Sequence, residues 1–235
     1  MTKIEEMRNL VSRLNTYRDS YYNFNHSMVS DKTYDYFFDE LSALENGTGV
    51  VLSNSPTVSV GYEVKSSLRK VKHNHPMLSL DKTKNLQDII DFMGDHAGLM
   101  MLKCDGLTCS LRYVNGELVG AETRGNGDIG EDILHNAKVF INIPQKIPYL
   151  GEYIIDGEAV ITYDSFERIN KSLPEGYKYK NPRNLVSGSV RQLDSKIAAE
   201  REIKFIAWKV IKGDDSNSFA QRLYHAKNYG FEIVP

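Results

Sequence analysis

Two apolar runs, Leu107 to Tyr113 and Leu118 to Thr123, flank the tetrad Val114-Asn115-Gly116-Glu117. Asn-Gly supplies two residues that tolerate positive φ, which a tight hairpin between right-twisted strands demands. The middle of the chain is therefore constrained to an antiparallel pair. Before it the apolar period is helical: Ile4, Met7, Val11, Leu14, Tyr17 and Tyr21 recur at one-face spacing. A second helix is expected from the N-cap Ser30, with Tyr34, Phe37, Phe38, Leu41 and Leu44 as its stripe and Asn46-Gly47 as its end. A Ser/Gly/Pro-rich loop, Gly47 to Ser67, follows. It divides the chain into a helical module, 1–66, and a second domain, 67–235.

From Leu99 the pattern is that of strands. Further strands are expected over Tyr153 to Thr162 and Ile203 to Ile211, with helices over Ser165 to Ser172 and Ser218 to Asn228. Gly230 to Val234 reads as the start of another strand. Hairpins mixed with helices, rather than strictly alternating units, indicate an α+β fold.

With 41% hydrophobic and 26% charged residues, the 235-residue chain has an ordinary globular composition. No apolar run is long enough to span a bilayer, and the charged stretch Met1 to Leu14 lacks the apolar centre of a signal peptide. A cytoplasmic location is expected. A net charge of −2 argues against tight unaided binding to nucleic acid. Cys104 and Cys109 have no metal-ligand spacing, fall in an expected strand region and read as buried thiols. Sequons at Asn25, Asn46 and Asn170 read as chance.

Gly125-Asn126-Gly127-Asp128-Ile129-Gly130 is a literal G-x-G-x-x-G. A dinucleotide fold would need a βαβ unit around it, whereas the preceding strand belongs to the hairpin. The run is read as a glycine-rich turn whose amides are able to approach a phosphate.

Lys103-Cys104-Asp105-Gly106 has the layout of a nucleophilic lysine followed by an acid and a glycine. Such a lysine must lose its proton to attack phosphorus. Desolvation and nearby cations favour the neutral amine, while nearby carboxylates oppose it. Asp105 and Glu158 therefore need another task or a compensating cation. Holding ribose hydroxyls, or Mg²⁺ through its water shell, suits them.

From its start almost to its end the sequence resembles the N-terminal part of NAD-dependent DNA ligases. The resemblance rests on Ser30 to Asp35, Ser55-Pro56-Thr57, His75 to Asp81, Lys103 to Leu107, and Thr123 to Gly127 with Gly130-Glu131-Asp132. It continues through Gly157-Glu158, Asn181 to Asn184, Gly188-Ser189 and Arg191 to Asp194. It implies an N-terminal helical module followed by an incomplete nucleotidyltransferase (ATP-grasp-like ligase adenylation) domain of antiparallel sheets with flanking helices.

By resemblance, Lys103 attacks the α-phosphate of NAD⁺, carries AMP and releases nicotinamide mononucleotide (NMN). Glu158 holds the ribose, Asp105 is the acid of the nucleophile motif, and Arg124 stands beside the nucleotide. Trp208 lies under the adenine, for which an indole face is suited, although a core tryptophan is an equally simple reading. Ser79 and Leu80 line the adenine side. Arg183 and Arg191 face phosphates or DNA, with Lys178, Lys180 and Lys196 as possible additions. Tyr21, Tyr22, Asp31, Tyr34 and Asp35 contact the NMN half. Asp31, Tyr34 and Asp35, three and four apart, share a helix face. Mg²⁺ is expected at Asp105 and Glu158 through water.

Several positions depart from the family pattern. Met101 stands where a base-reading Glu is usual, Asn126 where Asp is, Asp156 where Arg is, and Tyr22 where His is frequent. Asp156 changes the local charge by two units and calls for a compensating group. After Pro235 the family continues with two more lysine motifs and DNA-encircling domains. The expectation is therefore a component that lacks nick-sealing activity alone. A second ligase subunit would carry the remaining motifs and bring nicked duplex DNA. The alternatives are a truncated ligase or an inactive NAD-binding, partner-binding module.

Overall fold

The computed structural model describes residues 2–24, 27–58, 67–78 and 81–235, with side chains described from the helix 3–24 only as far as Tyr21. Two helices, α1 (Lys3–Phe24) and α2 (Asp31–Thr48), close over Met7, Leu10, Val11, Leu14 and Leu41. The expected periodicity is thus the buried stripe. Ser30 caps α2, its hydroxyl accepting from the Thr33 N–H. The helix runs past Asn46-Gly47 to Thr48, because the turn is made by Gly49, whose N–H donates to the Glu45 carbonyl. Ser55-Pro56-Thr57 returns the chain to α2, where the Thr57 hydroxyl donates to buried Glu45 at 2.6 Å.

The second part is built on an antiparallel sheet in the order β3-β2-β5-β6, from β2 (Leu107–Val114), β3 (Glu117–Thr123), β5 (Glu152–Val160) and β6 (Lys204–Lys212). The hairpin turn is made at Asn115 and Gly116, with φ of 50° and 86°, the primed-turn conformation expected from sequence. Two short strands, β1 (Lys70–Lys72) and β4 (Ile129–Glu131), form a second antiparallel pair. No βαβ unit surrounds the glycine run: Gly130 lies in β4, paired with Val71.

One sheet face carries Cys109, Leu111, Ile155, Ala159, Phe205 and Ala207 into the main core. That core is covered by α5 (Tyr163–Ser172), α6 (Pro182–Val190) and α8 (Phe219–Asn228), which contribute Ile169, Leu185 and Ala226. The remaining helices are α3 (Leu86–Met93), α4 (Leu134–Ala137) and α7 (Ser195–Ala199), with a 3₁₀ turn at Glu175–Tyr177. Register places Glu122, Ser110 and Asp156 side by side on the opposite face, next to Thr108 and Glu158.

Three expectations are corrected. Leu99 to Asp105 is not in a strand; Leu99, Met100 and Leu102 are exposed, and the ladder begins at Leu107. Cys104 is accordingly outside the sheet and half-buried, while Cys109 is buried in β2. Gly230 to Val234 forms only one parallel bridge, Ile233 to Ala207.

Candidate nucleotide site

Lys103 and Asp105 are exposed at the entry to β2, and Gly106 is buried. The Gly106 N–H donates to Glu158 Oε1 at 3.2 Å, which ties the lysine motif to β5. A Cβ on Gly106 would stand 2.0 Å from the Ala159 carbonyl oxygen, so only glycine permits this approach. Lys103 makes no hydrogen bond or ion pair with the described residues, yet lies close enough to Glu158 to act on its titration. Burial pushes the Glu158 carboxyl above its ordinary value. It outweighs the Thr108 hydroxyl and the cations Arg183, Lys103 and Arg124, which pull it down. Burial likewise raises the Cys104 thiol, with Glu158 adding to it and Lys103 opposing it.

The cation that Asp105 requires is Arg183, whose Nη1 donates to Asp105 Oδ1 at 2.9 Å. Arg183 sits in the first turn of α6, started by Asn181 as N-cap and Pro182. Its guanidinium also lies 5.2 Å from the Tyr21 ring centroid. Arg183 thereby joins the nucleophile motif to a cleft of about 200 Å³ lined by Tyr17, Tyr21, Asp31, Tyr34 and Asp35. The shared helix face expected for Asp31, Tyr34 and Asp35 is present. Tyr34 additionally packs on the helical core and against Phe38. Asp35 accepts from Lys82 at 2.9 Å. The Tyr22 side chain and Ser79 and Leu80 lie outside the described residues.

Arg124, half-buried, opens the glycine loop. Asn126 Oδ1 accepts from the N–H groups of Asp128 and Ile129 at 3.0 and 2.8 Å, which a carboxylate oxygen would do equally. The Asn-for-Asp departure thus preserves the turn. The group that compensates Asp156 is His75, whose Nε2 lies 2.9 Å from Asp156 Oδ2. Trp208 is half-buried at a bulge where β6 passes Asp156 and Gly157.

Arg191 is a correction to the phosphate-facing pair. Its guanidinium turns inward onto Glu131, with Nε at 2.7 Å and Nη2 at 3.2 Å, and the two side chains are 10% and 2% exposed. A buried carboxylate on β4 must be paired, and Arg191 satisfies it. Lys178 is engaged by Glu175 and Lys180 by the Ser27 carbonyl. Among the described residues no three His, Cys, Asp or Glu side chains gather as a metal cage.

The sequence reading missed Lys82, His73 and Glu122. His73 falls two residues before the quoted His75 segment, and no local signal marks Lys82 or Glu122.

A helical module followed by an antiparallel sheet that presents a lysine motif, a buried carboxylate beside it and a glycine loop is the architecture of a nucleotidyltransferase-like ligase domain. The models of two domain families cover nearly all of the chain: the DNA ligase-like N-terminal NAD⁺-binding domain over residues 1–61, and the NAD-dependent DNA ligase adenylation domain over 65–235. The chain belongs to the NAD-dependent DNA ligase family. It is 51% identical over 211 residues to a DNA ligase of Lachnoclostridium phytofermentans, covering 88% of this chain and 32% of that protein. It is 47% identical over 236 residues to one of Ruminiclostridium cellulolyticum, covering 99% and 36%. A DNA ligase of Helicobacter pylori strain P12 is 40% identical over 235 residues, covering 95% and 36%. The chain thus spans about a third of the length of these relatives. No helix among the described residues is long and apolar enough to cross a membrane.

Proposed function

We propose that the chain is the NAD⁺-binding and adenylylating component of a DNA ligase. Residues 1–66 grip the NMN half and residues 67–235 the adenylate half. The observation that carries this reading is the convergence of Lys103, Asp105 and Glu158 at one end of the central strands β2 and β5, joined to the Tyr21–Tyr34 cleft through Arg183.

In the proposed step the neutral Lys103 amine attacks the α-phosphorus. An N–P bond forms, the bond from that phosphorus to the bridging oxygen breaks, and NMN leaves with that oxygen. The amine proton goes to solvent or the leaving group, and lysyl-AMP remains. Glu158 accepts from the ribose hydroxyls, Arg124 faces the nucleotide's phosphate, and Trp208 with Ser79 and Leu80 encloses adenine. Tyr21, Tyr22, Asp31, Tyr34 and Asp35 hold the nicotinamide riboside, with the tyrosines facing the pyridinium. Arg183 pairs with Asp105, so the acid of the motif is engaged by a cation of its own. Mg²⁺, where bound, would be held at Asp105 and Glu158 through its water shell and would supply positive charge at the phosphates.

The AMP is then passed on to seal nicked duplex DNA in an assembly that includes the family's remaining lysine motifs and DNA-binding domains. These would come from a further segment or a second subunit. Intact-protein mass spectrometry after incubation with NAD⁺ and Mg²⁺, alone and with a complementing ligase fragment, tests the reading. An AMP adduct on wild type and none on Lys103→Ala is expected. An adduct that survives in Lys103→Ala overturns the nucleophile assignment. No adduct in either form of the assay favours a module that binds NAD⁺ without chemistry.

A further inference from the structure

Behind the glycine loop lies a buried group that the adenylylation chemistry does not use: His73 and His75 set against Glu122 and Asp156. His73 and Glu122 are each at most 9% exposed, and Asp156 is 2% exposed. His73 Nε2 lies 2.9 Å from the Arg124 carbonyl oxygen, to which it donates. A carbonyl cannot donate, so this bond fixes the proton on Nε2. Nδ1, on the other side of the ring, is 3.6 Å from Glu122 Oε1.

The Arg124 carbonyl also accepts from the Gly127 N–H at 3.0 Å, so it is held from within its own turn and from His73 together. The His73 N–H donates to the Asp128 carbonyl at 2.9 Å, and the Met77 N–H to the Gly127 carbonyl at 2.9 Å. The segment 73–77 is thereby laced to the whole loop. The ring's seat exists only because residue 130 lacks a side chain. A Cβ there would come within 2.7 Å of His73 Cε1 and 1.8 Å of the Thr123 carbonyl oxygen. The last glycine of the G-x-G-x-x-G run thus serves the histidine. His75 pins the same segment to β5 through Asp156.

We propose that His73 is a positioning residue of the nucleotide site. Bonded through Nε2 to the Arg124 main chain, with Glu122 at ion-pair distance from its other nitrogen, it sets the glycine loop and hence the direction of the Arg124 guanidinium toward the pocket. This rests on the reading of the pocket given above, in which Arg124 faces the nucleotide. The role follows from connectivity: β3 ends at Thr123, the Arg124 N–H is tied to the Thr108 carbonyl at 3.0 Å, and the Arg124 carbonyl is tied to His73. With both ends of residue 124 fixed, its side chain leaves the loop in one direction.

The charged and titratable groups facing His73 are Glu122 on β3, Arg124 in the loop, Asp156 on β5 and His75 on its own segment. Burial by itself would lower the imidazole. Glu122, the Arg124 carbonyl and the more distant Asp156 outweigh it and raise the imidazole above 6.5. The cationic form is thus the one that leaves Glu122 paired. Loss of the proton at alkaline pH keeps the Nε2 bond but strands a buried carboxylate.

The test uses the full chain and its single tryptophan, Trp208, as a fluorescent reporter of NAD⁺ binding. His73→Leu, which keeps the bulk and removes the donor, is expected to weaken NAD⁺ binding tenfold or more with an unchanged circular-dichroism spectrum. His73→Gln, whose amide nitrogen can reach the Arg124 carbonyl, is expected to stay within about threefold of wild type at pH 7. Wild-type affinity should decline as the pH rises past the histidine's titration, whereas the profile of His73→Gln should be flat there. A folded His73→Leu that binds NAD⁺ within twofold of wild type overturns the proposal. If His73→Leu does not fold, parallel pH profiles for wild type and His73→Gln overturn it, and divergent ones support it. Failure of wild type itself to bind NAD⁺ overturns the pocket reading, and this inference with it.

Discussion

Gly106→Ala is the sharpest probe of how the lysine motif is seated. The added Cβ would stand 2.0 Å from the Ala159 carbonyl oxygen and 3.0 Å from Val160 Cγ1. An ordinary carbon–oxygen contact is about 3.3 Å or longer, so the backbone must retreat by more than about 1 Å. That retreat breaks the 3.2 Å bond from the Gly106 N–H to Glu158. Forcing an extra methyl into a packed site costs about 1–3 kcal/mol, and a lost bond to an ionisable partner about 1.5–3 kcal/mol. The sum, about 2.5–6 kcal/mol, is a large part of a typical stability of about 5–15 kcal/mol. For a chain of this size it corresponds to a fall in melting temperature of about 5–24 °C. The assay is thermal unfolding followed by circular dichroism, paired with the lysyl-AMP mass assay. Gly176→Ala is the control, since nothing lies within 4 Å of a Cβ there. A Gly106→Ala protein that melts within about 2 °C of wild type refutes the close-approach argument.

Three further outcomes are expected. Glu131→Leu removes the buried carboxylate that takes two bonds from the inward-turned Arg191 and should cost about 3–5 kcal/mol in urea unfolding, whereas a merely exposed pair would cost less than about 1 kcal/mol. Gly47→Ala should stabilise by about 0.5–1 kcal/mol, because Gly47 lies inside α2 with open space around its Cβ; a lower urea midpoint contradicts this. Glu158→Gln should melt higher than wild type at pH 7 while losing NAD⁺ affinity. The folded protein retains the Glu158 proton after the unfolded chain has lost it at about 4.5, so stability falls as the pH rises through that window. The Gln variant lacks this decline, and an equal slope in both proteins contradicts the sign.

The legible parts of the fold were those with local causes. The hairpin followed from Asn115-Gly116, α2 from its Ser30 cap, and α8 from its Ser218 cap. The antiparallel character followed from the hairpin alone. Two helices carry start signals that apolar periodicity alone does not show. In α3, Asn85 caps a stretch with Leu86, Ile89, Ile90 and Met93 at helical spacing; in α6, Asn181-Pro182 is a helix start. The strands β1 and β4, of three residues each, have no alternation to read and exist through pairing across 59 positions. The site divides in the same way. Lys103, Glu158 and the Asp31–Asp35 face were recognisable as motifs. Arg183, His75 and Lys82, the partners of Asp105, Asp156 and Asp35, lie 78, 81 and 47 residues away from them, beyond any local rule. The need for a cation at Asp105 and for compensation at Asp156 was deducible from charge, although the identity of neither partner was.

The placement of Arg183 has a consequence for how the two parts of the chain are coupled. One guanidinium is shared between an acid two residues from Lys103 and an aromatic ring in the helical cleft. An aromatic face attracts a cation by about 0.5–1 kcal/mol at an exposed site, and an exposed ion pair is worth about the same. Neither contact outweighs the other, so the guanidinium couples the two parts of the chain weakly and in both directions. On the function proposed above, a ligand that takes up the Tyr21 ring would leave Arg183 more fully to Asp105, two residues from the lysine.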